Sequence, residues 1–488
     1  MPKHSKLLLS GIVWVAAYLR FPALFINHYH ADEALFSSWA RLIAVWRDPL
    51  LANQLVDKPP LLFYLQALFF PLMGAVEWAS LLPNIIASLL LIPLIAILGW
   101  RLYHSPGTAV LAALIVALSP TAIQYSATAY TDPLLAMLLI LALVLITSHT
   151  NPAFAGLAFG LAVATKYQAW LYLPLLLGLA WLNNWTIRHW RRWLAGFLPP
   201  LLVLASWEFL RTGTPVIWSN QLNNFGGLRM IHAWELLPRL LSWVNQWQTV
   251  YGSTILLLLF AIAVLVLLLN GFTNRSKTGL VDLLLILYFL AFTVLHWLLA
   301  VPVWDRYLLP VIPLAALLLA RAIVVLVGWI DNWITANPDV KRGYIRWLFP
   351  LVLILGILVF LQAPAAKSAR RGQWPTGGQA TADQGAWQIA ELLADEPYGT
   401  VLYDHWYSWH WRYHFFDKGV YVSWFPHPAA LVEDLQAFGD KGGSRYIVLP
   451  DAAAARPVQR AINDAGFTLD EEFRTDYQPG MILYRVQR

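Results

Sequence analysis

Seven ionisable residues stand out against an apolar background: Asp32, Glu33, Lys58, Asp132, Lys166, Asp305 and Arg306. Carboxylates can take a proton or hold hydroxyl groups, and lysine and arginine can neutralise an anion. Each of the seven borders a long apolar run. Ionisable groups near membrane depth are costly, so they tend to pair or to mark a site. Each also has a plainer reading. Asp32 and Glu33 suit the first turn of a helix, where the dipole favours acids. Asp132 before Pro133 reads as a helix start, with the acid as N-cap and proline at the first helical position. Lys166 could simply snorkel to an interface. Lys58 before Pro59-Pro60 could be a solvated loop lysine, and Arg306 could pair with its neighbour Asp305.

The elements that must position these residues follow from composition. Of 488 residues, 59% are hydrophobic and only 12% charged, which is too apolar for a soluble chain. Apolar runs of about 18 to 25 residues recur, long enough to cross a bilayer as helices. The fold class is therefore a polytopic α-helical membrane protein. The net charge of +6 does not point to nucleic acid. Its lysines and arginines sit largely in short loops, as the positive-inside rule demands. With no cysteine there is no disulfide or thiolate metal site, and the redox compartment cannot be read. MPKHSK and the apolar run after it lack a small-residue cleavage site, which predicts a retained first span.

His28 to Pro60 organises the rest. Leu35, Trp39, Leu42 and Trp46 recur at helical spacing and predict an amphipathic helix in the interface plane. Leu61 to Met73 is short for a span and predicts a second interfacial helix. About eleven spans follow from this choice, with the N-terminus cytoplasmic and the C-terminus outside. The loop with Arg188, Arg191 and Arg192 is the strongest topology marker, and Arg275, Lys277, Lys341, Arg342 and Arg346 also fall inside. The seven residues then all lie at the outer side. That arrangement suggests chemistry on an anionic, membrane-borne substrate. Thr212 to Thr249 reads as an outer loop of about 40 residues, long enough to be functional.

Residues 1–364 form the expected membrane domain, 365–380 a polar linker, and 381–488 a small soluble α/β domain. VLYDH, VYVSW, RYIVLP and MILYRV are its strand candidates. AWQIAELLA, PAALVEDLQAF and RPVQRAIND are its helix candidates. His410 and His414 could share a helix face as a metal pair, but no third ligand has recognisable spacing. The aromatics around them read as packing, or as docking onto the membrane part.

An Asp-Glu pair after the first span, Lys-Pro-Pro before an apolar helix and Thr-Asp-Pro two spans later occur together here. The set resembles the GT-C membrane glycosyltransferases of the dolichyl-phosphate-mannose protein mannosyltransferase and lipid A aminoarabinose transferase type. ALSPTAIQYSATAYTDPLLA resembles the family's second acidic motif, GLAFGLAVATKYQAW its span with a terminal lysine, and DRYLLPVIPLAALL its late Arg-Tyr-Leu-Leu-Pro span. The resemblance covers roughly Leu7 to Pro364. One departure is plain: members often carry an arginine before Leu-Pro-Ser, and this chain has Leu81-Leu82-Pro83-Asn84.

The resemblance implies a polyprenyl-phosphate sugar donor and a hydroxyl acceptor on a lipid, glycan or protein. Transfer would proceed with inversion at the outer face of the plasma (inner) membrane. Asp32 is then the candidate general base. Glu33 or Asp132 would orient the acceptor or the sugar hydroxyls. Lys58, Lys166, Arg306 and Tyr307 would bind the donor phosphate, whose charge grows in the transition state. No cofactor is required, although the paired acids leave room for a divalent metal. The competing expectation is a membrane transporter or flippase, which would place polar residues near mid-span.

Overall fold

The computed structural model describes residues 1–213, 229–274, 276–336, 348–439 and 441–488, with backbone alone for 333–336 and 348–355. The expected inner positions Arg275, Lys341, Arg342 and Arg346 lie outside the described residues, as does 214–228 of the expected outer loop.

Helix α1 (Lys3–Arg20) and the short α2 (Ala23–Ile26) join at Pro22 into one apolar stretch. After them come α3 (Ala31–Ala44) and α4 (Leu61–Met73), the two helices predicted to lie in the interface. Then follow α5 (Glu77–Tyr103), α6 (Pro106–Leu118) and the one-turn α7 (Pro120–Gln124). The chain bends by 63° between α6 and α7. Pro120 has no N–H to give the Val116 carbonyl, so the ladder breaks there. Arg20, fully buried, takes over: its guanidinium donates to Val116 O (3.1 Å) and Ala117 O (3.0 Å), and its Nε to Ser88 Oγ (2.9 Å). The bend aims residues 125–132 at α3.

Three helices follow: α8 (Asp132–Ile146), α9 (Pro152–Thr165) and α10 (Leu173–Leu182). The long α11 (Ile187–Thr212) packs tightly on α9. Small residues permit this: a Cβ on Gly156 would stand 1.9 Å from Trp193 O, and one on Gly196 1.8 Å from Ala153 O.

Residues 236–249 of the predicted outer loop are not loop but part of helix α12 (Leu236–Tyr251). Its polar face (Arg239, Ser242, Asn245, Gln248) masked an inner face of Trp243, Trp247, Val250 and Tyr251. Helices α13 (Thr254–Thr273), α14 (Lys277–Leu298), α15 (Ile312–Ala336) and α16 (Leu348–Arg370) complete the membrane part. Among the described residues six helical stretches are long and apolar enough to span a bilayer, or seven with the bent α6–α7 pair counted as one. The remaining apolar helices, α4, α8, α9 and the stretch ending in α10, are shorter.

The tail begins with α17 (Ala386–Leu392) and carries a five-stranded sheet ordered β2-β1-β3-β5-β4. Strands β1 (Thr400–Asp404), β2 (Val420–Trp424) and β3 (Arg445–Pro450) run parallel, and β5 (Met481–Gln487) pairs antiparallel with β3 and with β4 (Thr468–Arg474). Helices α18 (Ser408–His414), α19 (Pro428–Phe438) and α20 (Arg456–Asp464) connect the strands. Every strand and helix candidate of the tail is present. The additional strand, TLDEEFR, is a charged, exposed edge.

Helix α18 docks the tail on α3. Arg41 donates to Tyr413 O (2.6 Å) and pairs with Asp417 (2.5 Å), and Tyr413 Oη donates to Ala75 O (3.0 Å). Residues 371–385 form a strap between α16 and the tail. Gln124 holds it, donating to Trp374 O (2.7 Å) and accepting from Trp374 N (2.9 Å). Asn27 Nδ2 donates to Gly378 O (3.0 Å).

Candidate active site

The site assembles where α3, the 125–132 loop, the end of α9 and the start of the Asp305 turn meet. A capping box opens α3. His30 Nδ1 accepts from Asp32 N (3.2 Å), and Glu33 Oε2 accepts from His30 N (3.0 Å). The other Glu33 oxygen accepts from Ala129 N (2.6 Å). Glu33 is thus buried and spent on backbone, tying α3 to the loop before Asp132. Burial pushes its carboxyl up to about 8 in spite of these two donors.

Asp32, one residue earlier, points to a different set of partners. Its Oδ2 pairs with Arg306 Nη1 at 3.0 Å, and its side chain stays 39% exposed. Burial acts to raise this carboxyl, but Arg306, His30 and Lys58 outweigh it and hold it below its ordinary value. The Arg306 guanidinium lies over two rings, Trp304 at 4.2 Å and Tyr130 at 4.8 Å. Asp305 does not pair with it through the side chain. Its Oδ1 accepts from Tyr125 Oη (2.8 Å) and from Arg306 N (2.7 Å), and its Oδ2 from Gly377 N (2.8 Å).

Asp132 and Lys166 form a second pair, 2.5 Å apart, with side chains only 2% and 6% exposed. Thr131 holds the N-cap position of α8, so Asp132 is not the cap that Asp-Pro suggested. Lys166 does not snorkel outward; it ends α9 and turns inward, its Nζ 4.8 Å from the centre of the Tyr307 ring. Gln168 fixes Tyr307 by donating to its carbonyl (3.0 Å). Lys58 pairs with Asp57 and lies close enough to act electrostatically on both Asp32 and Lys166.

The geometry thus brings Asp32, Lys58, Asp132, Lys166, Arg306 and Tyr307 to one place and turns Glu33 away from it. Supporting residues went unnoticed in the sequence. Asn84, at the departure from the family pattern, donates to both Thr128 O and Tyr130 O (2.6 Å each) and so pins the acidic loop. Arg20, Asn27, Gln124 and Tyr130 are further examples. A proline after a serine in an apolar run is the one signal that could have pointed to a kink in need of a donor.

The donor set does not fit a divalent ion. Asp32 and Asp132 are each taken by a cation, and among the described residues no three His, Asp or Glu side chains gather with metal-binding geometry. His410 is buried and His414 largely so, and burial drives each imidazole down to about 3. His414 faces Glu77 (3.8 Å) at the tail's docking surface.

The fold is shared with known membrane glycosyltransferases. A family model for dolichyl-phosphate-mannose-protein mannosyltransferase matches residues 57–207. ArnT from Cupriavidus metallidurans in the apo state superposes with a TM-score of 0.60 at 15% identity, over 97% of each chain. The same protein bound to undecaprenyl phosphate gives 0.58 at 16%, again over 97% of each. The oligosaccharyltransferase of Archaeoglobus fulgidus in its apo form gives 0.55 at 12%, over 91% of this chain and 69% of that one. No curated protein matches the chain. The resemblance seen in the motifs is therefore carried by the whole fold, tail included.

Proposed function

We propose that this protein transfers a sugar from a polyprenyl-phosphate donor to an acceptor hydroxyl, with inversion, on the extracytoplasmic side of the membrane. The observation that carries the reading is an accessible carboxylate, Asp32, held against Arg306 with Lys58 and Lys166 nearby. The acceptor oxygen attacks the anomeric carbon as the bond from that carbon to the phosphate oxygen breaks. Asp32, kept ionised by its cationic neighbours, takes the hydroxyl proton. The departing phosphate keeps the bonding electrons, and Arg306, Lys58 and Lys166 neutralise them. A phosphate on Arg306 competes with Asp32 for the guanidinium and frees the carboxylate for its task. Asp132 holds Lys166 in place, and Tyr307 closes the phosphate side. Basic side chains supply the electrostatic work, so no metal is needed.

An apolar groove of about 520 Å³ between α4, α9 and α11 starts at Pro60, beside Lys58. It suits an isoprenoid chain whose phosphate lies at the cations. The neighbour solved with undecaprenyl phosphate supports this class of donor. Orientation with the tail outside rests on Arg188, Arg191 and Arg192, which the sequence placed in a loop and which stand in the first turns of α11. The transporter reading fits less well, because the ionisable residues of the site gather at helix ends.

The test is transfer from a purified undecaprenyl-phosphate sugar. An Asp32→Asn variant that folds and turns over at the wild-type rate would remove the base assignment. Solute uptake into vesicles without consumption of lipid-linked sugar would replace the enzyme with a transporter.

A further inference from the structure

Beyond the cationic cluster lies a separate hollow of about 470 Å³, roofed by the strap and the tail. His30 forms its floor; Gly377, Gln379 and Gln384 of the strap and Asp476 and Tyr477 of the tail form its walls. It opens beside the reacting groups. His30 caps the helix turn that carries Asp32, with its ring nitrogen on Asp32 N. Gly377 N holds Asp305, the residue before Arg306.

The two sides of the site differ in charge. Lysine and arginine crowd the donor side, while among the described residues no lysine or arginine lines the hollow, which has one carboxylate, Asp476. An anionic ligand there would meet the like charge of Asp476, and the Arg306 guanidinium reaches only the His30 end and is paired with Asp32. Glutamine side chains both donate and accept, and the strap presents peptide groups; these suit hydroxyls. The Tyr477 ring adds an apolar face for the C–H side of a sugar. The volume falls in the range of small-ligand sites.

Resting on the glycosyltransferase reading above, we propose that this hollow is the acceptor subsite and that it selects a neutral, polyhydroxylated acceptor: a sugar ring of a glycan or glycolipid, not a phosphorylated one. The strap and tail thereby set acceptor specificity, while the membrane part sets the donor.

The test uses the full-length protein in nanodiscs and a diazirine-bearing methyl glucoside. Photolabel should map to peptides containing 377–384 and 476–479. Excess methyl glucoside should compete, and mannose 6-phosphate should not. Gln384→Ala should lower labelling roughly tenfold, as expected for losing a hydrogen bond and its fit, with undecaprenyl-phosphate binding unchanged. Gln384→Arg, which places a cation in the hollow, should shift competition toward mannose 6-phosphate. Label elsewhere, no competable label, or equal competition by mannose 6-phosphate or a serine-rich peptide overturns the subsite. If wild-type protein fails to bind undecaprenyl phosphate, the glycosyltransferase reading itself falls; intact lipid binding without label sinks the subsite alone.

Discussion

The strap crosses the site at Gly377, and replacing this glycine tests whether that crossing matters. A Cβ at Gly377 would stand 2.2 Å from Tyr125 Oη and 2.9 Å from Tyr125 Cζ. Something must shift. Tyr125 Oη and Gly377 N both donate to the Asp305 carboxylate, at 2.8 Å each. Gly377→Ala therefore adds an overpacking cost of about 1–3 kcal/mol and puts at risk at least one hydrogen bond to a charged group, about 1.5–3 kcal/mol. The total is roughly 2.5–6 kcal/mol, and it falls on the residue preceding Arg306. A displacement of about 1 Å there should cost on the order of 100-fold in rate. The assay is sugar transfer from an undecaprenyl-phosphate donor, run beside thermal unfolding followed by size-exclusion chromatography. Gly328→Ala is the control, since nothing lies within 4 Å of the added methyl. Tyr125→Phe removes the nearest clashing atom, so the double variant should recover about 1 kcal/mol of coupling. Were Gly377→Ala as stable and as active as Gly328→Ala, the strap would be a mere tether and the reasoning would be wrong.

Further outcomes follow from the same geometry. Asp32→Asn should lower transfer by about 100-fold or more while leaving undecaprenyl-phosphate binding intact in a lipid-binding assay. Arg306→Ala should weaken that binding by roughly tenfold or more, and lysine should restore it only in part, because the planar fork over Trp304 and Tyr130 is lost. Glu33 links stability to pH. Its folded value of about 8 lies above the ordinary 4.5, so the folded protein holds a proton that the unfolded chain releases. Its contribution is full below about pH 4.5, declines as pH rises and is gone above about 8; unfolding midpoints measured across this window should fall, and Glu33→Gln should flatten the curve. Arg41→Ala removes two contacts to the tail, and limited proteolysis should then cut the tail free of the membrane part faster than in wild type.

What the sequence disclosed and what it withheld have a common cause. Apolar run length and residue spacing gave the membrane class and the helices α3 and α4, because a bilayer constrains run length directly. Ionisable residues at run ends stood out because burial makes them costly. Their roles did not stand out. Asp32 and Glu33 are neighbours with different partners, and the capping box decides which one is spent on backbone. Asp132 looked like a cap and instead grips Lys166. Helix α12 was hidden because its polar face resembles a loop, and β4 because an exposed edge strand can be almost wholly charged. Arg20, Asn84 and Gln124 act through backbone carbonyls distant in the chain, and residue type alone does not reveal such partners.

Helices α8 and α9, whose ends carry Asp132 and Lys166, have only 15 and 14 residues. At 1.5 Å per residue they reach at most about 22 Å, against a hydrocarbon core of roughly 30 Å. Short helices at this place would leave a shorter hydrocarbon path if the bilayer thins around them. On the proposed reading, a long isoprenoid would then keep its tail submerged while its headgroup reaches the depth of the lysine and arginine, so thicker bilayers should slow the reaction even when every side chain is in place.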